Sequence, residues 1–138
     1  MRQFKFRAWD RSRNKMVYEF SDNLKGKGYR LYHEERLFCG NYQDNGDWNE
    51  PELMQWTGLI DKNGKEIYEG DIVTFMDGSY ISTENGIDTN EFMSTGVIEW
   101  CDERKGWDVT NREDVDTDEC FDEYMEVIGN IHANLELL

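Results

Sequence analysis

From residue 53 to residue 132 the chain is a succession of short apolar runs separated by turn signals, and nowhere does it sustain the 3.6-residue period of a helix. Leu53 to Ile60 leads into Asp61-Lys62-Asn63-Gly64, where Asn-Gly supplies the positive φ angles of a tight turn, and Lys65 to Tyr68 returns as the second arm of a hairpin. Gly70 to Phe75 follows as a strand. Gly96 to Trp100 and Trp107 to Val109 form a further pair across the polar stretch Asp102 to Gly106, and Glu126 to His132 is a final strand. The tail 133–138 is expected to form one helical turn with Asn134 as its cap. Many short strands with little helix favour a small curled β-sheet or partly open barrel.

Upstream, Phe4-Lys5-Phe6-Arg7-Ala8-Trp9 alternates with period two, which predicts a half-buried strand with Phe4, Phe6 and Ala8 on one face. Asp10 to Asn14 is a polar turn and Met16 to Phe20 a second strand, so residues 3–20 are expected to be a hairpin. Residues 21–50 carry scattered apolar positions and are expected to hold short strands and loops. The strongest break is Asp44 to Pro51, with Asn45-Gly46 and the sole proline, and it is the expected linker between a basic N-terminal β region at 1–50 and a barrel-like core at 51–138, together one compact unit. Asp77 to Thr95 is long, polar and nearly aperiodic, and is expected to be an exposed loop.

The 138 residues suit one domain of the common size of about 100–150 residues. With 15 Lys and Arg against 30 Asp and Glu the net charge is −15, which excludes a histone-like or polybasic protein. The charge is uneven: residues 1–36 hold ten bases and five acids, a balance of +5, and the remainder carries −20. An aromatic content of 14% sets the chain apart from disordered sequences. No run approaches the roughly 18 apolar residues of a membrane span and no apolar signal region opens the chain, so a cytoplasmic protein without a membrane partner is expected. Cys39, Cys101 and Cys120 are odd in number and far apart, which fits reduced thiols better than a disulfide framework.

Catalytic and metal-binding patterns fail where they begin. Asp114-x-Asp116-x-Asp118 has the opening spacing of a calcium loop, but Glu119 and Met125 stand where such a loop needs glycine and a bidentate glutamate. The rest of the acidic run from Glu113 to Glu126 is expected to be a solvated loop or edge. His33 and His132 have no second ligand at metal spacing, and no nucleophile motif or phosphate loop is present. No catalytic residue, metal or cofactor is therefore assigned. Two binding surfaces remain. Lys5, Arg7, Arg11, Arg13, Lys25, Lys27 and Arg30 are interleaved with aromatics, a combination that suits single-stranded nucleic acid. Trp9, Trp56, Trp100 and Trp107 are candidates for a protein-recognition patch, with core filling as the competing role.

The start KFRAWD with KMVY, the central LMQWTGLIDKNGKEIYEGDIV, the GVIEW strand and the terminal EVIGNIHANLELL resemble, in order and spacing, the YopX family of phage and prophage proteins. Trp56 stands where a smaller aromatic is more usual, and Asn134-Leu135 where a proline would be expected. The resemblance implies an N-terminal β region joined to an SH3-like barrel, a phage or prophage accessory role in a bacterial cytoplasm, and no established activity or catalytic residues. The function expected from all of this is a non-enzymatic protein-interaction module able to associate with its own copies, the basic part of one meeting the acidic part of another. The alternative is nucleic-acid binding through the basic aromatic N-terminal third, and the acidic half could also imitate DNA.

Overall fold

The computed structural model describes residues 4–21, 28–111 and 124–138, and within these all side chains except those of 79–81 and 88–90. The chain divides into two compact units, Met1–Trp56 and Thr57–Leu138. The fold is mainly β and includes a curled half-barrel sheet.

The first unit contains β1 (Phe6–Asp10), β2 (Lys15–Val17), β3 (Arg30–His33), β4 (Leu37–Tyr42), β5 (Trp48–Asn49) and the start of β6 (Glu52–Ile60). The expected N-terminal hairpin is present, with Ala8 opposite Val17 and Asp10 opposite Lys15. β6 pairs along the other side of β1, with Ala8 opposite Leu53. β1 is thus a central strand, and its simple in-and-out alternation does not hold: Arg7, Ala8, Trp9 and Asp10 are all buried, whereas Phe4 is exposed. The core of this unit gathers Ala8, Val17, Tyr29 and Cys39, with Phe20, Leu31 and Leu53 packed against them.

β3, β4 and β5 form an antiparallel three-stranded sheet with Leu31 opposite Cys39, Tyr32 opposite Phe38 and Tyr42 opposite Trp48. The period of two sends Leu31 and Cys39 to the core and Tyr32 and Phe38 to the opposite face. The expected linker is instead the turn of this sheet. Gln43 N–H donates to the Asp47 carbonyl at 2.8 Å, Gly46 N–H to the Gln43 carbonyl at 2.9 Å, and the next two residues pair back onto β4. Asn-Gly marks a break in the chain direction, and here that break returns a strand rather than separating two units.

The second unit holds the end of β6, β7 (Glu66–Tyr68), β8 (Asp71–Thr83), β9 (Gly86–Cys101), β10 (Gly106–Val109) and β11 (Glu126–Asn130). The Asp61–Gly64 turn forms as expected, with Gly64 at φ 82° and Asp61 N–H on the Lys65 carbonyl at 2.7 Å. Asp61 also accepts from the backbone N–H of Asn63, Lys65 and Val127, which ties β11 to the turn. Burial alone would push this carboxyl up, and the three N–H donors outweigh it and hold it below its ordinary value.

The four-stranded sheet runs β10-β9-β8-β11. Residues 77–95, expected as a loop, are the far part of a long hairpin whose ladder continues from Phe75 opposite Ser94 to Thr83 opposite Gly86. Among the described residues β11 reaches only Asp71–Thr74 and β10 only Ile98–Cys101, so the outer part of the hairpin is a two-stranded ribbon. A ribbon with no sheet beside it buries little, which is why its sequence lacks the apolar alternation of the other strands. The core packs Ile67, Val73, Phe75, Ile98, Val109, Met125 and Val127, with Trp107 against them. The tail forms a single 3₁₀ turn at Leu135–Leu137 with Asn134 at its N-cap position, but the side chain makes no capping bond: its Oδ1 accepts instead from Asn130 N–H at 3.2 Å. Lys25, Lys27, the Asp114–Asp118 motif, Cys120 and most of the acidic run lie outside the described residues.

Candidate interaction surface

Among the described residues, four of the cations expected to meet nucleic acid, Lys5, Arg7, Arg13 and Arg30, are buried or have partners within the first unit. Arg7 is only 2% exposed, so it presents no surface to a phosphate backbone. Arg13 pairs with buried Asp10 at 3.0 Å and also bonds the Tyr29 hydroxyl at 3.0 Å. Lys5 lies over the Trp56 ring, Lys15 over Tyr29 and Arg30 over Tyr32. Arg11 is exposed beside a cleft of about 300 Å³ lined by Trp9, Asn49, Glu50 and Glu52. Among the described residues, most of what the sequence presents as a basic stripe is therefore turned inward or onto neighbouring rings.

Asp10 organises much of this. Its Oδ1 accepts from the Ser12 hydroxyl at 2.6 Å and from Asn49 at 3.2 Å, and its Oδ2 from the Tyr29 hydroxyl at 2.5 Å as well as from Arg13. Burial pushes the carboxyl up, but the hydrogen bonds from Ser12, Tyr29, Arg13 and Asn49 outweigh it, and the group stays charged well below the usual carboxylate range. Burial and the Asp10 bond together raise the Tyr29 phenol. Cys39, buried on the inner face of β4, has its thiol pushed up to about 12 by burial and by the nearby Asp10 charge. Such a thiol is an inert packing group. Cys101 is a second free thiol, half-buried.

The expected recognition tryptophans scatter. Trp9 is buried, Trp56 is half-buried under Lys5, and Trp107 packs on the second core with its ring edge-on to Trp100 at 5.2 Å. Trp100 is 42% exposed and its indole N–H bonds Asp102. The surface that does assemble aromatics is one the tryptophan positions do not point to: the outer face of β3-β4-β5. Tyr32 stacks on Phe38 at 5.1 Å, Trp48 meets Tyr32 edge-on at 5.7 Å, and Tyr42 meets Trp48 edge-on at 5.0 Å. Arg30 lies 5.1 Å over Tyr32 and Arg36 4.7 Å over Phe38.

Two details fix this face. A Cβ at Gly40 would stand 2.3 Å from the Trp48 ring, so the missing side chain is what lets the indole lie flat across β4. Glu50 then holds both ends, accepting the Trp48 indole N–H at 3.0 Å and pairing with Arg36 at 2.9 Å. A cleft of about 360 Å³ lined by Arg36, Phe38, Glu50, Pro51 and Leu53 borders the patch. The sequence signal was available in the period-two spacing of Tyr32, Phe38 and Tyr42 with Trp48, but it is legible only once the strand register is known.

Among the described residues no group of three or more His, Cys, Asp or Glu side chains could hold a metal ion, and no helix is long and apolar enough to cross a membrane. The model of the family described as YopX protein matches residues 5–138. The chain belongs to the YopX family. The crystal structure of protein EF1440 from Enterococcus faecalis is similar to this chain, with 27% identity and a TM-score of 0.57 over 100% of this chain and 99% of that one. No curated protein matches.

Proposed function

We propose that this YopX-family chain is a non-enzymatic protein-interaction module, a phage or prophage accessory protein of the bacterial cytoplasm, that binds its partner through the outer face of β3-β4-β5. The observation behind this is the ring assembly Tyr32, Phe38, Trp48 and Tyr42, with Trp48 still 42% and Tyr42 62% exposed. Exposed Trp and Tyr beside Arg are the residue types that dominate the energetics of protein interfaces. Rings already held in place lose little freedom on binding, which favours affinity.

The partner on this reading is a different protein. Association of copies needs a free basic third, whereas Arg7 is buried, Arg13, Lys5, Lys15 and Arg30 have internal partners, and two chains of −15 repel. The same engagement weighs against nucleic acid. The test is capture from a bacterial lysate on immobilised wild type, on the Tyr42→Ala/Trp48→Ala double variant, and on a Trp100→Ala control. A protein retained by wild type and control but lost from the double variant supports the reading. Equal capture on all three, or a dimer by light scattering that the double variant leaves intact, contradicts it.

A further inference from the structure

On that reading of the face, we propose that its occupant is a basic, arginine-bearing extended segment of the partner, with a guanidinium seated on the Tyr42–Trp48 corner. The face shows how it holds cations. Each of its other two rings carries one, Arg30 on Tyr32 and Arg36 on Phe38, at 5.1 and 4.7 Å, distances at which the ring quadrupole attracts a cation. Among the described residues no cation lies on Tyr42 or Trp48, although these are the two most exposed rings of the four. The ladder of ring and guanidinium therefore has an open end.

Charge favours a cationic guest for that end. Between residues 28 and 50 two arginines stand against five carboxylates, all of them exposed. Asp44 and Asp47 lie in the turn that joins Tyr42 to Trp48, and Asp47 is positioned by Asn45 at 3.0 Å. Glu50 neutralises Arg36, one of the two resident cations. The whole chain at −15 also steers basic partners toward it and acidic ones, nucleic acid included, away. Arginine suits the corner better than lysine because its planar, weakly hydrated head stacks on a ring while its N–H groups reach a carboxylate.

The test is a titration of the full chain with fluorescently labelled hexa-arginine, followed by anisotropy at 0.15 M salt, with hexalysine and a single-stranded oligothymidine as comparisons. Non-specific attraction to the acidic chain is common to both peptides and to all variants, so the informative quantity is the part lost with the rings. Hexa-arginine is expected to bind more tightly than hexalysine and to lose roughly tenfold in affinity in Tyr42→Ala/Trp48→Ala, while Trp48→Phe, which keeps a ring, retains most of it. Circular dichroism of each variant checks that the outer-face changes leave the fold intact. Equal affinity of wild type and double variant, or ring-dependent binding of oligothymidine, overturns the proposal. If the double variant loses lysate capture while hexa-arginine affinity stays unchanged, the interaction surface stands and the cationic occupant falls.

Discussion

Replacing Asp10 by Asn tests whether the first unit is held by a buried carboxylate rather than by its small apolar core. The amide keeps the shape and keeps Oδ1 as acceptor for Ser12 and Asn49. It puts an N–H₂ donor where Oδ2 now accepts from Arg13 at 3.0 Å and Tyr29 at 2.5 Å. Two charge-assisted hydrogen bonds are lost, each worth about 1.5–3 kcal/mol when buried. The Arg13 side chain is 30% exposed and can turn to water, which discounts its share and leaves a net loss of about 2–4 kcal/mol. With a urea slope of roughly 1–3 kcal/mol per molar, the unfolding midpoint at pH 7 should fall by about 1–2 M, read by circular dichroism. The pH dependence has a definite sign. Because the folded carboxyl lies below its ordinary value of 3.8, its contribution is complete above that value and is lost as pH falls through the lowered folded one, so wild type and variant converge in acid. Midpoints that agree at pH 7, or a gap that widens on acidification, would refute the reasoning.

Three further outcomes follow from the geometry. Asp61→Ala removes the acceptor of three backbone N–H groups and should cost about 2–3 kcal/mol, lowering the thermal midpoint by several degrees; an unchanged midpoint would show that β11 is held by its ladder alone. Phe75→Ala, at 1% exposure in the second core, should cost about 3–5 kcal/mol by denaturant titration, and a loss under 1 kcal/mol would mean the cavity closes freely. Cys39 should resist alkylation at pH 8 in the native protein, since its thiol is pushed up to about 12 and fully covered, whereas half-buried Cys101 reacts; mass spectrometry after iodoacetamide distinguishes them, and early labelling of Cys39 would contradict its placement.

Where a strand has one face in a core, its apolar spacing announced it: Val73 and Phe75, Ile98, and Val127 all fall in strands read directly from the residues, as does the Asp61–Gly64 turn. Where a strand has two covered faces or none, the spacing misleads. Arg7 looks like the wet side of a half-buried strand, yet four successive residues of β1, Arg7 to Asp10, are buried, so both of its faces are covered there. Residues 77–95 look like a loop because a ribbon outside the sheet needs only its backbone ladder. The surface was the least legible part. A tryptophan in the sequence does not say which side of a strand it takes, so Trp9 reads as a recognition residue and Trp48 does not. The deciding facts, that Tyr42 stands opposite Trp48 and that Gly40 makes room for the indole, belong to cross-strand register.

The proposed role of the outer face of β3-β4-β5 in receiving a partner is tested most directly at single residues. In a proton–nitrogen correlation spectrum the five indole N–H signals are separate reporters, and Trp48→Phe identifies the one from Trp48. On titration with hexa-arginine that signal and the Tyr42 amide are predicted to shift together and saturably, with the indoles of buried Trp9 and of Trp107 unmoved. Shifts confined to the second unit, with Trp48 unchanged at saturation, would contradict the account.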